Sequence, residues 1–437
     1  MKKKKNFFQF SQLILIAGIS TPFAAFGEAL TDQLNNLFGP NGLQLEVGNI
    51  PNFTHEAHFS SVSIATLGAL TQQLAITSAD IPAISTIPGL TYRYNPELQS
   101  FERSSGSLGS IYIERPLTVG RGHIEFGFSY NYVEFTQLNG RKLNRLSFLN
   151  LHHDDCCGAT IPSPGDPTFE DATADIVFNK FSLQSHIFNF STTYGITDNW
   201  DVNILIPIIQ TSLDLSATAH INDVPFSING LNFPNGVHFF PNGTKTTMAS
   251  SSGSYFGVGD IQLRTKYHFL DYKYLDMAGG VNLRLPSGSE KNFQGVGYTT
   301  VLPYLAFSSE YGIIDLHATV GVEFNTGNDK RDRLRYAGGA TFTITEQLAL
   351  ITDFIGASNI RTNDVSVQVP QFLGGNPTPT SYSTSTSTVQ NDTLDLALGL
   401  KFIPMKSVVG YFNVFVPLNN QGLRADVIPT GGIQVGF

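Results

Sequence analysis

Stretches of about ten residues in which apolar and polar side chains alternate recur along most of this chain, a length and period that fit a strand crossing a bilayer with unlike faces. In Gly259 to Phe269, Ile261, Leu263, Thr265, Tyr267 and Phe269 suit lipid, while Asp260, Gln262, Arg264, Lys266 and His268 suit water. The same period sets Ile314, Leu316, Ala318, Val320, Val322 and Phe324 against Asp315, His317, Thr319, Gly321, Glu323 and Asn325. It returns in Leu394, Leu396, Leu398, Leu400 and Phe402, with Asp395 and Lys401 between them. Beyond the first thirty residues there is no uninterrupted apolar run of the ~20 residues that a membrane helix needs. A soluble β-sandwich also alternates. Strand length, strand number and the regular exchange of short with long connections favour a transmembrane antiparallel up-and-down β-barrel, an all-β fold.

The expected strands are 107–117, 122–137, 173–196, 200–218, 255–270, 275–287, 298–311, 313–326, 333–344, 347–362, 391–404, 407–418 and 428–437. Single-chain bacterial barrels usually have an even strand number, so Leu90 to Asn95 supplies an upward partner for 107–117 and makes fourteen strands, with twelve as the alternative. Trp200, Tyr194, Tyr272, Tyr274, Tyr311 and Tyr411 lie near short connections, as an interfacial aromatic girdle requires. The terminal Phe437, preceded by Val435 and Ile433, resembles the C-terminal signal that the barrel-assembly machinery reads. Residues 376–390, rich in Thr, Ser and Pro, are expected to be a mobile loop tip.

Lys2 to Lys5, an apolar stretch from Leu13 to Ile19 and the small residues Ala25 and Gly27 read as a secretory signal over residues 1–27. Its removal takes four lysines from the 26 basic residues and leaves 22 against 35 acidic ones, a net charge of −13. That balance excludes the basic face expected of a nucleic-acid binder. Only 14% of the residues are charged, against about 25% in soluble globular proteins. Residues 28–88 do not alternate, and their apolar residues are spaced closer to a helical period, as expected for a plug or periplasmic segment before a barrel over 89–437.

The charged residues of the clear strands fall on the face opposite the apolar row: Glu125, Asp260, Arg264, Lys266, Arg284, Asp315, His317, Glu323, Arg335, Asp395 and Lys401. They are candidates for lining the lumen, either pairing with one another to hold the barrel's shape or forming a polar track for solutes. In His152-His153-Asp154-Asp155-Cys156-Cys157, neighbouring side chains cannot all turn toward one ion, and the spacing matches no zinc pattern. Cys156 and Cys157 therefore suggest a vicinal disulfide or a hydrogen-bonded loop. No nucleophile or phosphate-loop motif is present, no cofactor is implied, and enzymatic activity is not expected, a barrel lipid hydrolase being the remaining enzymatic option.

Leu90 to Pro96 through Phe101 to Ser105, then Glu114-Arg115-Pro116-Leu117-Thr118-Val119-Gly120-Arg121-Gly122, resembles the front of an outer-membrane family linked to the MetA pathway of phenol degradation. Gly257-Val258-Gly259-Asp260-Ile261-Gln262-Leu263-Arg264-Thr265-Lys266-Tyr267, followed by Leu285-Pro286-Ser287-Gly288, is similar to that family's core, and the Asp154 to Gly158 segment adds to the likeness. The resemblance covers most of residues 85–345 and implies kinship with long-chain fatty-acid channels, fourteen-stranded barrels with an N-terminal hatch. It implies passive passage of small hydrophobic or aromatic solutes across a Gram-negative-type outer membrane, with outer-membrane lipid as surroundings. It carries over no substrate-contacting residue. A general diffusion porin and a structural or adhesive surface barrel are the alternative readings.

Overall fold

The computed structural model describes residues 28–39, 43–45, 70–75, 77–78, 85–86, 92–95, 100–103, 107–152, 173–223, 225–228, 231–236, 238–327, 331–361, 363–371, 381–389, 392–405 and 407–437. The expected signal at 1–27 and the pair Cys156 and Cys157 lie outside the described residues.

Twelve antiparallel strands form the wall: β1 (Ile124–Leu138), β2 (Thr173–Thr197), β3 (Trp200–Asn222), β4 (Gln262–Tyr272), β5 (Leu275–Arg284), β6 (Thr300–Tyr311), β7 (Ile314–Asn325), β8 (Arg333–Thr345), β9 (Leu348–Asn359), β10 (Thr393–Met405), β11 (Val408–Pro417) and β12 (Ile428–Gly436). Each pairs with its sequence neighbour, and β12 pairs with β1 from Thr430↔Asn131 to Gly436↔Glu125, so the sheet closes on itself. The terminal residue completes the seam: the Phe437 amide donates to the Ile124 carbonyl at 2.9 Å, and the reverse bond is 3.1 Å. Closure matters because lipid offers no partner to an open strand edge.

The wall has twelve strands rather than fourteen, the alternative count. Tyr92–Asn95 pairs with Ser100–Arg103 in a separate two-stranded hairpin. Residues 107–117 form no strand; nearly all of them are buried, with no outward row. Arg115 shares its parity with Ile111 and Ile113, and a lipid-facing row would not hold a guanidinium. The expected strand 255–270 is two elements: Thr246–Val258 and β4 are separated by Gly259–Ile261, and both run down beside β3. Ser381–Val389, expected in a loop tip, pairs with Asn363–Gln371 as a hairpin.

The outer surface carries the apolar rows. Leu263, Leu316, Val320 and Leu398 are exposed, while Arg264, His317 and Asp395 are buried on the opposite face. Trp200, Tyr194, Tyr272, Tyr274 and Tyr311 are exposed near the short turns as a girdle would be. Tyr411 is not part of it: at 3% exposure it points inward, beneath Gly432 of the neighbouring strand.

At the long-loop end the barrel is lopsided. β2 and β3 have 25 and 23 residues, and at about 3.4 Å per residue they outreach any bilayer. Ser147–His152 pairs with the far part of β2 and Thr246–Val258 with the far part of β3. The inner face of this extension presents Phe178, Phe181, Leu183, Leu213 and Leu215 to a hydrophobic cluster. Leucines from residues 30–45 and 70–75 complete that cluster. The helix α1 (Leu30–Asn35) buries Leu30 and Leu34, and helical residues 70–75 bury Leu70 and Leu74. The Leu30 amide donates to Asn292 Oδ1 at 3.1 Å in the loop after β5, so α1 lies at the mouth, on the long-loop side.

Beyond β3, Asp223 accepts a hydrogen bond from the His238 amide at 2.9 Å, with His238 Nδ1 at 2.8 Å and Lys245 Nζ at 2.5 Å. Burial alone would raise its carboxyl, but the bonds and charges from His238 and Lys245 outweigh burial and hold it below its ordinary value. A depressed carboxyl contributes stability above its unfolded-state pKa and loses it as pH falls through the folded-state value. The 223–245 loop should therefore resist proteolysis from neutral pH into mild acid and open only in stronger acid. The D223N variant should be cut across the whole range.

Leu398, 47% exposed near mid-height of β10, tests the wall's orientation. Leu398→Arg should cost roughly 2 to 4 kcal/mol if it sits in the bilayer midplane. Urea unfolding of the protein folded into phospholipid vesicles should show this as a lowered midpoint with unchanged slope.

Candidate functional site

The lumen is the space these strands enclose, and a described segment of the chain itself enters it. Residues 107–119, which precede β1, run through the interior as a plug. Wall residues hold this irregular backbone because its carbonyls have no ladder to join. Lys401 Nζ on β10 donates to the carbonyls of Leu108, Gly109 and Ser110 at 2.8, 2.8 and 2.6 Å. Lys401 is fully buried, so three carbonyls replace its water shell. Gly109 adopts φ +63°, and a Cβ there would meet the Arg115 side chain at 2.3 Å. Glycine is thus required both by the backbone and by the close approach.

Ser110 Oγ donates to Asp353 Oδ2 at 2.5 Å and accepts from the amides of Tyr112 and Ile113 at 3.0 and 2.8 Å. The other Asp353 oxygen lies 2.8 Å from His317 Nε2. Arg115 approaches Asp315 at 3.3 Å and Glu310 at 3.6 Å. Lys266 Nζ donates to the Arg115 carbonyl at 2.7 Å and stands 3.7 Å from Glu114. Glu114 also accepts from the Thr86 amide at 2.8 Å, tying the preceding segment to the plug. Asp201 Oδ2 receives the Val119 amide at 3.1 Å.

Of the lumen candidates, Arg264, Lys266, Asp315, His317 and Lys401 therefore converge on the plug, Arg264 standing 3.9 Å from Glu114. Asp260, Arg284, Glu323 and Arg335 lie higher, toward the long loops. Arg284 Nε is 2.9 Å from Asp260, and Arg335 holds Glu323 at 3.1 Å. Asp395 pairs with Arg424 at 2.6 Å, away from the plug, and Glu125 is buried on β1. Sequence patterning missed Asp353, Asp201, Glu114, Arg115 and Ser110. Asp353 is flanked two residues away by Ile351 and Ile355, so its strand shows no polar row. The last three lie on the plug, which has no strand period. Among the described residues no group of three acidic, His or Cys side chains forms a metal site.

Where Thr246–Val258 gives way to β4, the carboxylate of Asp260 accepts the Gly288 and Val296 amides at 3.0 and 2.9 Å besides the Arg284 bond. The hydroxyl of Ser287 donates to the Gly259 carbonyl and accepts the Ile261 amide, both at 2.8 Å. The strand break is thereby satisfied by the loop after β5, which turns inward. Gln294 of that loop donates to the carbonyls of Ile209 and Tyr255 at 3.0 and 3.1 Å. Between this inturned loop and the plug lies a cavity of about 170 Å³, bounded by Tyr112, Ile113 and Glu114 of the plug and by inward residues of β4 to β9. A smaller cavity of about 60 Å³ adjoins it on the far side of Gln262 and Arg284.

The family model for the MetA-pathway of phenol degradation matches residues 164–353, just under half of the chain. No curated protein matches the sequence. Among solved structures, the COG4313 outer membrane channel from Pseudomonas putida F1 is similar at 10% identity and a TM-score of 0.43, over 74% of this chain and 98% of that one. The Ralstonia pickettii toluene transporter TbuX is similar at 13% identity and a TM-score of 0.31, over 74% and 92%. The CymD monoaromatic hydrocarbon channel shares 10% identity with a TM-score of 0.33, over 73% and 89%. The architecture of this chain rests on its own strand pairing.

Lys401 is the point at which plug and wall are most heavily joined. In a variant with Cys156 and Cys157 replaced by Ser, K401M should leave the barrel folded and heat-modifiable on gels. It should raise ionic conductance in planar bilayers and speed labelling of an S110C thiol by about tenfold, the scale of one hydrogen bond to a charged group lost.

Proposed function

We propose that this protein is an outer-membrane channel for passive passage of small hydrophobic or aromatic solutes, and that it is not an enzyme. The observation that carries this reading is the plugged lumen. A wall with an apolar exterior encloses a backbone segment pinned at Lys401, Asp353, Asp315 and Lys266, and the cavity of about 170 Å³ beside it is the size of one small ring. For scale, an engineered protein cavity of about 150 Å³ accepts benzene. An open general porin would carry a water-filled bore instead.

In this reading residues 1–27 are a leader removed on export, residues 28–88 form a segment before the channel whose helical residues 30–35 and 70–75 cap the outer mouth, and residues 89–437 form the channel unit, whose wall begins at Ile124. Phe437, at the barrel seam, addresses the chain to the assembly machinery, and outer-membrane lipid surrounds the apolar belt. The charged lumen residues hold the plug and line the solute's way past it. TbuX is a toluene transporter and CymD a monoaromatic hydrocarbon channel, and we extend that class of cargo to this chain.

Reconstituted protein should take up radiolabelled toluene into vesicles faster than empty vesicles do, while passing little ionic current. Removing residues 107–117 should raise the current. Large, stable ionic conductance from the intact protein would favour the general porin, and absence of any flux would favour a structural barrel.

A further inference from the structure

Outside the barrel, the tall strands carry a second surface with its own chemistry. On the outer face of β1, β2, β3 and Thr246–Val258 the apolar rows end along one rung, Tyr132↔His186↔Gln210↔Phe256, set by the pairing of the four strands. Below it Phe190, Ile204 and Val258 are exposed, as lipid requires. Above it the same rows continue as Gln184, Ser182, Ser212, Ser254 and Ser252. These short hydroxyl and amide groups on a sheet surface both donate and accept, which suits sugar hydroxyls and gives an acyl chain nothing to pack on.

β1 runs past that rung and turns at Asn139-Gly140 into Arg141–Lys142, which pairs back on Gln137 and Leu138. Arg141, Lys142 and Arg145 are exposed and enter no ion pair among the described residues. Leu143 and Leu146 are buried in the apolar cluster at the mouth, and the Phe178 amide of β2 donates to the Leu146 carbonyl at 3.0 Å. The three cations are thus displayed on an anchored stretch. The acids nearby are engaged elsewhere: Glu134 accepts from Tyr132 and Gln184 at 3.3 and 3.4 Å, Asp426 accepts from Thr136 at 2.7 Å, and Asp214 pairs with Lys180.

Height narrows the choice of anion. Lys142 stands opposite Gln137, five positions above Tyr132. At about 3.4 Å per residue and a strand tilt of about 40°, that is roughly 13 Å above the rung. The chain as a whole is acidic and repels soluble polyanions. An anion whose acyl chains already lie against Phe190 and Ile204 is instead delivered to this patch by the membrane itself. We infer that Arg141, Lys142 and Arg145, with the hydroxyl-rich sheet below them, form a docking surface for the acidic sugar head of the outer leaflet's glycolipid. The cations meet its phosphates and carboxylates, and the serines meet its hydroxyls. The inference rests on the outer-membrane location and is independent of which solute, if any, crosses the barrel.

Thermophoresis of the full-length protein in detergent, without divalent cations, tests this with four probes: rough lipopolysaccharide carrying its inner-core sugars, lipid A alone, phosphatidylglycerol and dextran sulfate. Rough lipopolysaccharide should bind at least about tenfold more tightly than lipid A, a conservative figure for three cations near a charged headgroup, and the other two probes more weakly still. The triple variant Arg141→Gln, Lys142→Gln, Arg145→Gln should bring rough lipopolysaccharide down to the affinity of lipid A. Keeping Lys142 and making Arg141→Lys and Arg145→Lys should restore the difference. Heat-modifiability on gels checks that each variant is folded. Equal binding of rough lipopolysaccharide and lipid A, equal binding of dextran sulfate, or a preference that survives in the folded triple variant would overturn the inference.

Discussion

A strand in lipid can hydrogen-bond only to other strands, and that one requirement organises the rest of this protein. Twelve strands satisfy it by closing between β12 and β1, with Phe437 making the last bonds of the seam. Alternation then leaves each strand with an apolar row for lipid and a second row that must face inward. The inward row is polar and charged, and a lumen lined with such groups must be filled by water, by solute or by protein. Here a backbone segment enters it.

The choice of filler explains the unusual chemistry of the wall. A plug without secondary structure brings bare carbonyls and amides into a confined space, and each must be met. Lys401 meets three carbonyls, Ser110 meets two amides, and Asp201 meets a third. Charges that would be expensive alone become supports when they hold backbone groups and one another. The same logic acts higher up, where Asp260 gathers two loop amides and an arginine at the strand break.

The long-loop end follows a different rule. Above the membrane the sheet regains water on its outer side, and the inner face of the β2 and β3 extension is strongly apolar. It needs a cover, and Leu30, Leu34, Leu70 and Leu74 of the N-terminal segment supply it. The segment therefore closes the mouth from the long-loop side, while the plug proper is the stretch next to β1. A hydrophobic core over the mouth and an ionic mesh in the bore are two distinct closures built from adjoining parts of one chain.

Alternation alone determined which residues face lipid and which face the lumen, because a period of two assigns every side chain once one strand face is known. Leu263, Leu316, Val320 and Leu398, with Arg264, His317, Asp395 and Lys401 opposite them, were legible for that reason. Local pattern also placed the short turns and most of the girdle. It could not decide the strand number, since 107–117 has the length of a strand and only the pairing shows that it joins no ladder. Nor could it find Asp353 or assign Lys401 to the carbonyls of Leu108, Gly109 and Ser110, contacts that span 291 to 293 positions of chain. Tyr411 looked like a girdle residue by its nearness to a turn, but its parity follows Lys401 across the strand pair and carries it inward. What folds into the bore depends on contacts between residues far apart in the chain, and a local period carries no record of them.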